Sequence, residues 1–246
     1  MKKKCIWKKI TACAAAVCLA AGSMASLTGC RGTLAVAMEE REKNKVTVVE
    51  DVSDLDLESL YHPSNGYQYR EAQWLISQNQ LEQALNADLG EGQPYSTDGS
   101  MIYVETTGVA ASLNGVAPTG ASVVLNADGL FSQVMIQFEL NENLNGQALT
   151  ELFNSVLDTL EENYGEALKD VSEEISYEEG TATRNGTGRT LWWEAELENG
   201  YLTTMQLVTI TLTGSDVINS MLLGFNCYDP AVAESIEAEQ ASAEAE

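Results

Sequence analysis

The chain has 246 residues, 44% hydrophobic and 20% charged, proportions that suit a folded soluble domain better than a disordered chain or a polytopic membrane protein. Thirteen Lys and Arg stand against 37 Asp and Glu, a net charge of -24, so most of the surface repels phosphate backbones and nucleic-acid binding is excluded. A single histidine, His62, followed directly by Pro63, leaves almost no room for histidine-based metal sites or for an imidazole base.

Residues 1–29 carry the three parts of a secretory signal. A basic start (Lys2, Lys3, Lys4, Lys8, Lys9) precedes an alanine-rich apolar stretch from Ile10 to about Leu27, and small residues follow. The competing reading is a retained transmembrane anchor. Against it, the stretch ends in Leu27-Thr28-Gly29-Cys30, which resembles the lipobox of bacterial lipoproteins. That resemblance implies a diacylglycerol on the Cys30 thiol, cleavage before it, and a mature chain moored by lipid to the extracytoplasmic face of a bacterial cell membrane. Five lysines and no acid leave with residues 1–29, so the mature chain has a net charge of -29. Cys5, Cys13 and Cys18 leave too. With Cys30 lipidated, Cys227 is alone in an apolar run from Met221, which reads as a buried structural thiol rather than a nucleophile.

Residues 30–65 read as a membrane-proximal spacer, with a β-prone piece at Val46 to Val49 and an acidic stretch from Glu50 to Glu58. The folded body is expected over residues 66–230 and a disordered acidic tail over 231–246. Apolar spacing predicts a first helix from Arg70 to Leu89 with Gly90 as its C-terminal cap. A second runs from Gln147 to Tyr164, with Asn145 as N-cap, Gly165 after it, and a further turn or two around Ala167, Leu168 and Val171. Strand-like segments follow each helix: Met101 to Thr106, Ala121 to Asn126 and Leu130 to Leu140 after the first; Thr181 to Arg184, Arg189 to Leu197, Tyr201 to Leu212 and Val217 to Tyr228 after the second. Asp128-Gly129, Asn199-Gly200 and Thr213-Gly214 supply the turns between them.

The two halves read as copies, about 66–145 and 146–230, aligned by Leu89-Gly90-Glu91-Gly92 with Tyr164-Gly165-Glu166-Ala167 and by Asp128-Gly129-Leu130-Phe131 with Asn199-Gly200-Tyr201-Leu202. The expected fold class is α+β, with tandem helix-then-antiparallel-meander repeats and the helices packed on one face of an antiparallel sheet. This order, with Leu-Gly-Glu-Gly-Gln-Pro at 89–94 and the hairpin glycines, resembles the duplicated fold of the beta-lactamase inhibitor protein and of small outer-membrane assembly lipoproteins.

A two-residue turn at Asn199-Gly200 would set Leu197 opposite Leu202, Ala195 opposite Thr204, Trp193 opposite Gln206 and Leu191 opposite Val208, all on the core side. Trp192, Glu194, Glu196, Met205 and Leu207 then face outward, with Tyr201 at the end. Around Asp128-Gly129 the same rule puts Val123 and Val134 inward, and Phe131 and Met135 outward. Trp192, Tyr201, Met205, Leu207, Phe131 and Met135 would form an apolar outer face, either a partner-binding surface or one covered by the spacer or a second layer.

Other chemistry is sparse. Asn141, Asn143 and Asn145 imitate a calcium-loop spacing without its acids and read as a strand-to-helix turn. Asn185-Gly186-Thr187 reads as a turn, and Asp51, Asp54, Asp56 and Glu58 as a solvated acidic run. No phosphate-cradling Gly-Lys-Thr loop or Gly-x-Ser-x-Gly elbow occurs. The expectation is a non-enzymatic surface lipoprotein that needs no metal or cofactor and binds a protein, peptide or cell-wall ligand. The alternatives are an envelope-polymer hydrolase using paired carboxylates and a structural accessory subunit of an envelope complex.

Overall fold

A computed structural model describes residues 52–95, 99–104, 108–179 and 182–231. The signal segment, Cys30, the spacer as far as residue 51, and the tail from residue 232 lie outside the described residues.

The elements in chain order are β1 (Tyr61–His62), β2 (Gly66–Tyr67), α1 (Gln78–Leu85), β3 (Gln93–Pro94), β4 (Met101–Val104), β5 (Gly120–Leu125), β6 (Phe131–Glu139), α2 (Gly146–Tyr164), β7 (Lys169–Glu179), β8 (Ala182–Glu196), β9 (Leu202–Leu212) and β10 (Ser220–Tyr228). β1 and β2 form a small hairpin. The other eight strands make one sheet in the order β3-β4-β5-β6-β10-β9-β8-β7, antiparallel at every step.

The expected α+β class, with tandem repeats and helices packed on the sheet, is therefore corrected to a mostly-β molecule with one continuous eight-stranded sheet, a two-stranded hairpin and two helices. The halves are not copies: strands of 2, 4, 6 and 9 residues follow α1, whereas 11, 15, 11 and 9 follow α2. The matched glycines misled because they do different work. Gly165 (φ 79°) ends α2, but α1 ends four residues before Gly90, at Asn86 in the left-handed region (φ 50°).

α1 is also shorter than its apolar spacing suggested. Arg70 and Leu75 have positive φ (53° and 60°), which a helix cannot contain. The helix begins only after Ser77, whose backbone N–H donates to Gln80 Oε1 at 3.0 Å. Trp74 instead stacks on Phe131 (4.7 Å between centroids) and donates its Nε1–H to the Tyr67 carbonyl. α2 matches its stripe: Leu149, Leu152, Phe153, Val156 and Leu160 are buried, and Asn145 Oδ1 accepts from the Ala148 N–H at 3.0 Å. Asn141 Oδ1 accepts from the backbone N–H groups of Asn143 and Leu144, an Asx turn that leads the chain into the helix.

Two further expectations are corrected. The helical turns around Ala167, Leu168 and Val171 give way to β7, entered where the Leu168 N–H donates to the Trp192 carbonyl at 2.7 Å. The Asn185-Gly186-Thr187 turn lies inside β8, which runs unbroken where two segments were expected. A Cβ on Gly186 would come within 2.4 Å of the Thr211 carbonyl oxygen, so glycine serves there for close strand approach.

The core lies on one side of the sheet. It joins Val123, Val134, Phe225, Met205 and Trp193, which follow one another across five strands, to the buried stripe of α2 and to the segments before β5. Packing begins earlier than residue 66, since Leu55, Leu57 and Leu60 are buried in this cluster. The Tyr164 hydroxyl fastens that segment to α2, accepting from the Leu60 N–H and donating to the Leu57 carbonyl, both at 2.8 Å.

Candidate functional site

Both Asx-Gly turns are three-residue loops. Asn126 and Leu130 close the first, and Leu197 and Tyr201 close the second, with Gly129 (φ 73°) and Gly200 (φ 84°) in the left-handed region. An extra loop residue slips the pairing by one, and a one-residue slip moves every side chain of a strand to the other face. In the second hairpin the slip persists, and the pairs are Trp193 with Met205, Leu191 with Leu207, and Trp192 with Gln206. In the first, β6 bulges at Ser132, whose hydroxyl donates to the Val124 carbonyl, and this restores Val123 opposite Val134.

These two facts redistribute the expected outer-face residues. Met205 and Leu207 are corrected to the core by the slip, and Phe131 to the core because it precedes the bulge. Tyr201 is half-buried against the core. Trp192 and Met135 do lie on the opposite face, and the neighbouring indoles do point apart. Trp193 is in the core, with its Nε1–H donating to the Gly165 carbonyl at 2.9 Å, while Trp192 is buried outside the core cluster. Cys30 lies outside the described residues.

What surrounds Trp192 is polar rather than greasy. One row across this face reads Val124, Gln133, Asn226, Thr204, Glu194, and the next reads Ser122, Met135, Gly224, Gln206, Trp192, Lys169. Thr190 follows Trp192 two residues back along β8. Gln133 and Asn226 are 0% exposed, Thr190 2% and Trp192 8%. Asn226 Nδ2 donates to Thr204 Oγ1 at 3.1 Å, and the Lys169 ammonium stands 4.8 Å from the Trp192 ring centre. Yet no described residue offers a partner to Gln133 Oε1 or Nε2, Asn226 Oδ1, Thr190 Oγ1 or Trp192 Nε1. Each such buried group costs about 1–3 kcal/mol. A native fold carries few of them, and here they gather on β6, β10 and β8, on one face of the sheet.

Gln133, Asn226 and Thr190 were missed because a polar residue in a strand reads as the solvent side. The legible signal was a carboxamide inside an apolar strand, as with Asn226 in Leu223-Gly224-Phe225-Asn226-Cys227.

Asp54 is held below the usual carboxylate range by hydrogen bonds from the Ser112 hydroxyl and the Gly115 N–H. Asp170 is held low by hydrogen bonds from the Arg189 guanidinium (2.9 and 2.8 Å), an exposed pair worth about 0–1 kcal/mol. Among the described residues no group of three or more His, Cys, Asp or Glu is placed to hold a metal ion. Cys227 is buried, with its thiol pushed up to about 12 by burial. A shallow, open dent beside α1 is lined by Asn79, Glu82, Gln83, Asn86, Ala87 and Asp88.

The chain matches no protein-family model, no curated protein and no solved structure.

Proposed function

We propose that this chain is a lipid-anchored extracytoplasmic binding module, without enzymatic activity, that engages its partner through the polar face of the sheet. The observation that carries this reading is the cluster of buried, unpartnered hydrogen-bonding groups on Gln133, Asn226, Thr190 and Trp192. Such groups cost stability in the free protein and are explained by a ligand that satisfies them. The lipobox at residues 27–30 supports the location.

The test is a trade of function for stability. Gln133→Leu should leave the circular dichroism spectrum unchanged and raise the midpoint of thermal unfolding, because a carboxamide with neither of its polar atoms partnered becomes an apolar side chain of similar size. A fall in the midpoint would show that the carboxamide holds the fold together, and the face would lose its standing as a binding surface.

A further inference from the structure

Resting on that reading, we infer that the polar face takes a short, uncharged, extended peptide read through its backbone. The groups without described partners are balanced: Gln133 Nε2 and Trp192 Nε1 donate, Gln133 Oε1 and Asn226 Oδ1 accept, and Thr190 Oγ1 can do either. An anion would satisfy only the donors and would face two carbonyl oxygens on a chain of net charge -24. An extended residue presents its N–H and C=O to the same side, and the side-by-side oxygen and nitrogen of the Gln133 carboxamide match that pair.

Spacing and relief agree. Gln133, Asn226, Gln206 and Trp192 come from β6, β10, β9 and β8, four adjacent strands. Three strand spacings span roughly 14 Å, the length of about four extended residues. Gly224 lies between Met135 and Gln206 with no side chain of its own, where a Cβ would come within 3.3 Å of Leu222 Cδ2. A sugar ring would need an open aromatic platform. Trp192 offers none: it is 8% exposed, with the Lys169 ammonium 4.8 Å from its ring centre.

The experiment follows the indole N–H signals of the full chain by nitrogen-15 NMR. Those of Trp74 and Trp193, bonded to the Tyr67 and Gly165 carbonyls, serve as internal controls. The probe is the neutral hexapeptide acetyl-Ser-Ala-Ser-Ala-Ser-Ala-amide. It should shift the Trp192 signal saturably and leave the two controls in place. Its backbone N-methylated form should not, and Gln133→Leu should weaken the peptide at least tenfold. If chitotetraose moves the signal and the peptide does not, the peptide inference is overturned while the binding reading stands. Silence toward both probes also overturns the inference, whereas the binding reading falls by the unfolding measurement above. If deleting residues 31–51 or 232–246 moves the Trp192 signal with no probe added, the chain's own segment occupies the face and both fall.

Discussion

Cys227 shows how much a single buried atom constrains. Its thiol, packed beside Phe225 on the core face of β10, is pushed from 9.0 up to about 12 by burial, so it stays protonated at neutral pH. The folded value lies above the unfolded one. Its contribution to stability is therefore complete below pH 9 and is lost as pH rises through about 12, because the unfolded chain can release the proton and the folded chain cannot. Cys227→Ala should remove that slope. In urea titrations between pH 8 and pH 11, the natural chain should lose about 3 kcal/mol more than the variant. Tyr69, also pushed up to about 12 by burial, steepens both curves above pH 10 equally. Equal slopes would mean that the thiol reaches water. At this scale the sequence was partly legible. An apolar run around one cysteine, and adjacent tryptophans on a strand, dictate burial and opposite facing. The carboxamide of Gln133 was hidden, because polarity alone does not say whether a strand face is wet.

Among the elements, α2 was the most legible and the turns the least, for one reason. A helix of 19 residues repeats its signal five times, in Leu149, Leu152, Phe153, Val156 and Leu160, so no single residue decides it. A hairpin's register hangs on one residue of loop length. The extra residue at Glu198-Asn199-Gly200 turned Met205 and Leu207 inward, and a single bulge at Ser132 undid the same shift in the other hairpin. β7 went unseen because the acids among its apolar residues masked the alternation of Val171, Glu173 and Ile175. Where α2 meets the chain before β1, the coupling is a single hydroxyl: Tyr164 serves both the Leu60 N–H and the Leu57 carbonyl. Tyr164→Phe leaves a backbone N–H unpaired next to the buried Leu60 side chain and should cost about 1–3 kcal/mol in urea-induced unfolding. Hydrogen exchange at Leu60 should accelerate in the same variant, and unchanged exchange would mean that α2 does not hold this segment.

For the whole molecule, the continuous sheet divides the work between its faces, one carrying the core and the other the unpartnered polar groups. Charge then bears on how the proposed lipid-anchored body would stay at a membrane. With residues 1–29 removed, 8 cations face 37 acids, so the surface is repelled by anionic lipids and contributes no electrostatic adhesion. In the proposed lipid-anchored form, attachment would come from apolar insertion, which an acyl group supplies at about 0.8 kcal/mol per buried CH₂. Two consequences separate this tether from adsorption. Washing membranes with 1 M NaCl should not release the natural protein, because screening weakens attraction between opposite charges and leaves hydrocarbon burial intact. Radiolabelled palmitate should enter the natural chain and be absent from Cys30→Ala. A labelled variant would place the acyl group on another residue, and an unlabelled natural chain would leave the acidic body with nothing to hold it at the membrane.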